Sequence, residues 1–164
     1  MASNSSRIIG IDPGTGRLGF GVIDVIGGKP VLVDAGVITT PPNSEESDRL
    51  ITIFEELSEI IADTKPTIMA VEKLFFAQNV TTAMNVAQAR GVILLTGKQA
   101  GLELFEYTPL QIKMSLTGYG RASKQQIQEM VRVLLKLKEI PKPDDCADAL
   151  AVALIHSHGL KYGL

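Results

Sequence analysis

RIIGIDPGTGRLGFGVIDVI, residues 7–26, is the stretch that decides the fold. Arg7 to Asp12 is a short apolar run rich in β-branched residues, and Pro13-Gly14 stops it, which predicts a strand closed by a tight turn. Phe20 to Ile26 predicts a second strand. Gly27-Gly28 then predicts a hairpin into a third strand, Val31 to Thr40, closed by Pro41-Pro42. The three runs together predict an antiparallel meander.

From residue 44 onward the apolar period changes. Ser44 is the expected N-cap of a helix, with Glu45 and Glu46 in its first turn. Leu50, Ile53, Phe54, Leu57, Ile60 and Ile61 mark one face of that helix, and Pro66 ends it. Thr67 to Glu72 returns to strand. Val80 to Ala100 predicts a long helix rich in small residues, and Leu102 to Tyr107 a fifth strand. Pro109 opens a short helix, and the glycine-containing run Thr117 to Ala122 reads as a loop. Ser123 and Gln126 form a capping box ahead of Ile127, Met130, Val131, Leu134 and Leu135. After Pro141 and Pro143, a last helix runs from Asp144 to about His158 and is apolar almost throughout. The order β-β-β-α-β-α-β-α-α-α predicts an α/β fold, a five-stranded mixed sheet with helices packed against it.

A chain of 164 residues, 45% hydrophobic and 21% charged, fits one folded domain. Residues 1–6, MASNSS, read as a disordered tail without the features of a signal peptide, leaving 7–164 as the domain. No run approaches the roughly 18 apolar residues of a spanning helix. The single cysteine, Cys146, excludes an internal disulfide and points to a reducing cytoplasm. It reads as a small buried residue, and His156 and His158 as surface residues rather than metal ligands. The net charge of −2 hides an asymmetry: residues 1–72 carry 5 basic and 11 acidic residues, and residues 73–164 carry 11 basic and 7 acidic. That division fits a cation-binding centre beside an anion-binding surface, although solvated helix faces give the same count.

Four acids stand against their surroundings. Asp12 and Glu72 each end an apolar strand, and Asp145 and Asp148 share one face at the start of the apolar last helix. Buried carboxylates are costly unless partnered. If strands 7–12 and 67–72 are parallel neighbours, Asp12 and Glu72 project side by side at their carboxyl ends, where ligands gather in open α/β sheets. Hard oxygen donors of this kind suit Mg²⁺ or Mn²⁺, and two ions about 3.5–4 Å apart suit phosphodiester hydrolysis. Taken singly, three of them have plainer readings: a turn cap for Asp12, a surface ion pair for Glu72, and a helix cap for Asp145 if not for its neighbour Asp144; Asp148, inside the apolar helix, is the hardest to explain so. The turn after Asp12 lacks the Gly-Lys-Ser/Thr of a phosphate loop. It also joins strand to strand, so it is no dinucleotide fingerprint.

IGIDPG at residues 9–14, AVEKLF at 70–75, QARG at 88–91 and DCADAL at 145–150 resemble the RuvC family of Holliday junction resolvases, in that family's order and spacing. The resemblance covers nearly all of the chain after residue 6. It implies an RNase H-like fold, a homodimer, and symmetric cutting of four-way DNA junctions with Mg²⁺ or Mn²⁺, two ions per site. It also implies work beside a branch-migration helicase complex of the RuvA-RuvB type. By position it assigns Asp12, Glu72, Asp145 and Asp148 to metal binding, and Phe75 to an aromatic stacked on bases, with Phe76 the neighbouring core candidate. Lys113 and Lys124 match basic positions associated with DNA contact, and Asn79, Arg90 and Arg121 are further phosphate candidates. Asp144 is an extra acid without an assigned role. The small-residue face of helix 80–100 is the candidate dimer interface. Two other readings stay open on sequence: a related RNase H-like nuclease acting on RNA, of the YqgF type, and an actin-like phosphotransferase domain.

Overall fold

The computed structural model describes residues 5–73 and 80–161. The chain runs β1 (Ser5–Asp12), β2 (Arg17–Ile26), β3 (Lys29–Thr39), α1 (Glu46–Thr64), β4 (Ile68–Glu72), α2 (Val80–Gln99), β5 (Glu103–Tyr107), α3 (Pro109–Thr117), α4 (Lys124–Leu134) and α5 (Asp144–Lys161). The sheet order is β3-β2-β1-β4-β5. The β1–β2–β3 meander is antiparallel, and β4 and β5 run parallel to β1. Positive φ at Gly27 and Gly28 makes the two-residue hairpin turn the sequence predicts.

Strand alternation sorts the strand residues onto two faces. Ile9, Ile11, Leu18, Phe20, Val22, Met69 and Val71 form one core with Ile53 and Leu57 of α1 and Ile93 of α2. Ile8, Ile23, Val25, Ile68 and Ala70 form the other with α3, α4 and α5. Helix α5 is buried along most of its length, because sheet lies on one side and α3 and α4 on the other. That is why its sequence is apolar all round rather than striped.

Three expectations are corrected. Ser5 and Ser6, expected in the tail, extend β1 opposite Ile26 and Val25. Ser44 does not cap α1: its hydroxyl donates to Pro41 O at 2.7 Å, and the helix begins two residues later from an extended Glu45. His156 is no surface residue but is buried, with Nδ1 2.6 Å from the Tyr107 hydroxyl and its ring 4.3 Å from that of Phe105. The Ser123–Gln126 capping box forms as read, and Thr108 with Gln111 forms a second one at α3.

Candidate active site

Asp12 and Glu72 follow Gly10 and Ala70 by two residues, so alternation puts their side chains on the α5 face, at the carboxyl ends of two parallel strands. The floor beneath α5 is glycine. A Cβ on Gly19 would lie 2.1 Å from Asp145 O, and one on Gly10 would lie 2.1 Å from Ala149 O. Gly21, opposite Gly10, would strike the Leu150 side chain. The helix backbone therefore rests on the sheet along the row Asp145–Ala149–Ala153. Gly19 is the register partner of Asp12, so this contact delivers Asp145 beside the first acid.

The four carboxylates act on one another. Burial, then the charges of Glu72, Asp148 and Asp145 and a hydrogen bond with Glu72, push the Asp12 carboxyl up to about 8. Burial and the charge of Asp148 raise Glu72 above the usual carboxylate range, against the opposing pull of Asp12, Lys124 and Lys113. Burial likewise raises Asp148, opposed by Lys124. Burial and the crowding of like charges thus both favour a proton shared between Asp12 and Glu72.

Cations stand on either side. Lys124 Nζ lies 3.3 Å from Asp144 Oδ2 and 3.5 Å from Asp148 Oδ2. Burial alone would lower the Lys124 ammonium, but Asp148 and Asp144 raise it overall. Asp144, unassigned on sequence, therefore helps hold Lys124. On the other side Arg17 Nε lies 3.2 Å from Asp145 Oδ2. Between Glu72, Asp148, Lys113 and Lys124 opens a cleft of about 210 Å³ with Ile112 and Ile127 in its wall. Cys146 is buried, and burial pushes its thiol up, so it is a packing residue.

Among the described residues no three His, Cys, Asp or Glu side chains form a ready-made cage for one metal ion. The donor chemistry nonetheless fits a hard divalent cation: every donor is a carboxylate oxygen, and burial together with their mutual charge pushes the Asp12 carboxyl upward in the absence of a cation. Asp145 is ion-paired with Arg17 and Asp148 with Lys124.

The predicted DNA-contact residues divide. Lys113 and Lys124 line the cleft. Arg121 is exposed in the loop before Lys124. Arg90 is ion-paired with Glu106, whose strand position puts it on the opposite face of the sheet from the acids. Phe75, Phe76 and Asn79 lie outside the described residues. Sequence reading missed Arg17, the Lys124–Asp144 contact and the glycine floor. Glycines at alternate strand positions, facing a helix with alanine every fourth residue, are the signal that would have revealed the floor.

The family model for "Crossover junction endodeoxyribonuclease RuvC" matches residues 8–156. The crossover junction endodeoxyribonuclease RuvC of Heliobacterium modesticaldum is 55% identical over 157 residues, 96% of this chain and 97% of that one. The Roseiflexus sp. protein of the same name is 51% identical over 154 residues, 94% and 92% of the two chains. Thermus thermophilus RuvC superposes with a TM-score of 0.89 at 37% identity, over 96% of each chain. T. thermophilus RuvC in complex with a Holliday junction substrate gives 0.91 at 36%, again over 96% of each.

Proposed function

The chain belongs to the RuvC family of crossover junction endodeoxyribonucleases, and on that footing we propose that it resolves four-way DNA junctions by paired nicking, with Asp12, Glu72, Asp145 and Asp148 holding divalent cations. Its fold is the RNase H-like α/β fold, and its nuclease function belongs to DNA recombination and repair. The observation that carries the site reading is the coupling of Asp12 to Glu72, Asp148 and Asp145 within a cleft edged by Lys113 and Lys124.

Mg²⁺, or Mn²⁺ in its place, would supply Lewis acidity that activates water and stabilises the departing 3′ oxygen, two ions serving the two roles. The protein's own groups do the rest. Asp12 and Glu72, at the strand ends, and Asp145 and Asp148, from α5, are the residues that would hold the ions. Lys124, held by Asp144, and Lys113 across the cleft place positive charge where a phosphate strand must lie. The apolar wall of Ile112 and Ile127 limits water around the reacting phosphate.

Symmetric cutting needs two sites related by a two-fold axis. Val80, Met84, Ala87, Gly91 and Leu95 recur at helical spacing along the exposed side of α2, and they are the surface through which a second copy would pack. Its small inward residues, Ala89 and Gly97, are used up against the sheet. A branch-migration helicase complex is the expected partner on the junction, and the cytoplasm the expected compartment. No helix among the described residues is long and apolar enough to cross a membrane.

The test is a synthetic immobile junction incubated with protein and Mg²⁺. Wild type should give paired nicks that ligase reseals, and Asp12→Asn should cut at least ~10³-fold more slowly, a loss of about 4 kcal/mol of transition-state stabilisation. Equal cutting by the two proteins would remove Asp12 from the reaction. Cutting of RNA hybrids in preference to junctions would overturn the substrate.

A further inference from the structure

We propose that Arg17 is an exchangeable counter-charge of this centre: it holds the Asp145 carboxylate in the ion-free protein and passes to a DNA phosphate when a divalent cation takes that carboxylate. The inference rests on the cation-binding role of Asp145 set out above and adds a DNA-contacting residue to it.

Arg17 opens β2, two residues before the glycine on which the Asp145 backbone lies. Its own backbone is fixed. It pairs with Thr39 across the sheet, and buried Thr40 donates its amide to Gly16 O at 3.0 Å and its hydroxyl to Thr15 O at 2.5 Å. The side chain is held far less. A single-nitrogen ion pair at 3.2 Å ties it to Asp145, and 53% of it is exposed. Arg7 shows what a committed arginine looks like in this protein. It donates to both carboxylate oxygens of Asp24, at 2.7 and 2.8 Å, and to Thr64 O at 2.6 Å.

An ion pair as exposed as Arg17–Asp145 is weak enough to give way. A divalent cation competes for Asp145 with twice the charge. Once released, a guanidinium presents a planar fork suited to two phosphate oxygens. Anchored backbone and loose head put that fork within a side chain's length of the acids. Lys124 edges the cleft from the side of α4, whereas Arg17 approaches from the β1–β2 turn, so the pair would flank a strand lying over the carboxylates.

Two measurements on Arg17→Gln and Arg17→Lys test this, with folding checked by circular dichroism. The first is Mg²⁺ binding to the DNA-free protein by calorimetry and thermal shift. Removing the competitor should tighten Mg²⁺ about two- to fivefold in Arg17→Gln, the range an exposed ion pair permits, and Arg17→Lys should restore most of the wild-type value. The second is the salt dependence of junction binding, with EDTA and with Ca²⁺ as a hard oxygen-seeking ion. With Ca²⁺, the slope of log K against log salt should shrink by roughly 0.9 for each Arg17 removed from the assembly. With EDTA, wild type and Arg17→Gln should have equal slopes, because Arg17 is then occupied by Asp145. Unchanged or weaker Mg²⁺ binding in Arg17→Gln overturns the exchange. A slope difference of the same size in both conditions also overturns it, making Arg17 a permanent phosphate contact, and so does no difference in either. If wild type itself shows no Mg²⁺ response, the cation reading of the four acids fails, and this inference fails with it.

Discussion

On the α1–α2 face of the sheet, Ile9, Ile11, Val22, Met69 and Val71 meet Ile53, Leu57 and Ile93 through side chains of ordinary size. On the α5 face, Gly10, Gly19 and Gly21 let a helix backbone rest on the strands themselves. The first arrangement buries apolar area and tolerates adjustment, because the ends of side chains can shift. At its three glycines the second has no strand side chain between strand and helix to absorb an error. Its gain is position: at Gly10 and Gly19 the height of α5 over the sheet is set by backbone contact, and Asp145 and Asp148 come near Asp12. The α1–α2 face carries an ordinary side-chain core and the surface proposed for a second copy, and the α5 face carries the proposed reaction centre.

Adding one methyl group to each face gives the largest contrast. In Gly10→Ala the new Cβ would meet Ala149 O at 2.1 Å and Ala153 N at 2.7 Å, both backbone atoms that cannot move without lifting α5. A loss of about 3 kcal/mol is expected, the upper part of the range for overpacking, with junction cleavage falling further than stability because the acids separate. In Gly97→Ala the obstacles are Met69 Sδ at 2.7 Å and Leu104 Cδ2 at 2.9 Å, ends of flexible side chains that can turn aside. That change should cost about 1 kcal/mol and leave the activity per folded molecule intact. Urea denaturation of both variants decides it, and equal losses would erase the distinction between the faces.

How much of this was legible in the sequence follows from the same contrast. Elements fixed by local patterns were readable: the meander with its Gly27-Gly28 turn and the Ser123–Gln126 capping box. The parallel pairing of β1 with β4 entered only as a condition, which the structure fulfils. The four acids were readable because charge at the end of an apolar run is conspicuous. Contacts between residues far apart in the chain were not. Arg17 and Asp145 are 128 positions apart, and no local pattern announces that β2 and α5 will touch. Ser44 was misread because two caps compete: the Pro41 carbonyl captures its hydroxyl before α1 begins. His156 was misread because a histidine near a chain end looks solvated until its partner, Tyr107 on β5, is known.

The next contrast is electrostatic. Mg²⁺ that binds the folded protein alone should raise its stability by ~2.7 kcal/mol at a hundredfold excess over Kd. Asp148→Asn should lose most of that gain. Asp48→Asn, an acid at the exposed start of α1, should keep all of it. Thermal melts with and without Mg²⁺ read both, and equal gains in Asp148→Asn and wild type would dissolve the shared centre.

A smaller effect on folding separates the α1–α2 side's two roles. A Cβ on Gly91 would meet nothing within 4 Å, because the residue faces outward from α2. Gly91→Arg should therefore fold with stability within about 1 kcal/mol of wild type, a helix interior favouring arginine over glycine. Yet it places a long charged side chain in the middle of the surface assigned to the second copy. If a second copy packs there as proposed, sedimentation should show wild type as a dimer and the variant as a monomer at the same concentration, and paired nicking should give way to single nicks. A variant that remains dimeric would move the interface elsewhere.

The smallest expected effect lies within the α5 face, at His156. Burial lowers its pKa below the ordinary 6.5, only partly opposed by the charge of Glu103. Tyr107 on β5 supplies the hydroxyl at 2.6 Å and Phe105 stacks on the ring, so the neutral imidazole is the form this pocket accepts. The unfolded chain takes up this proton more readily than the folded one. Between the lowered folded value and 6.5, stability therefore rises with pH; it is complete above 6.5 and lost progressively as pH falls below it. In His156→Gln the glutamine amide oxygen could still accept the Tyr107 hydroxyl, but the side chain carries no titrating group. Subtracting the melting temperatures of His156→Gln from those of wild type between pH 5 and pH 8 cancels the carboxylate cluster's titration, which both proteins share. The difference should favour wild type increasingly as pH rises toward 7 and then level off. Its span should stay under the ~4 °C that one kcal/mol moves a domain of this length. A flat difference would mean that His156 titrates as freely in the folded protein as in the unfolded chain, contrary to its burial behind β5.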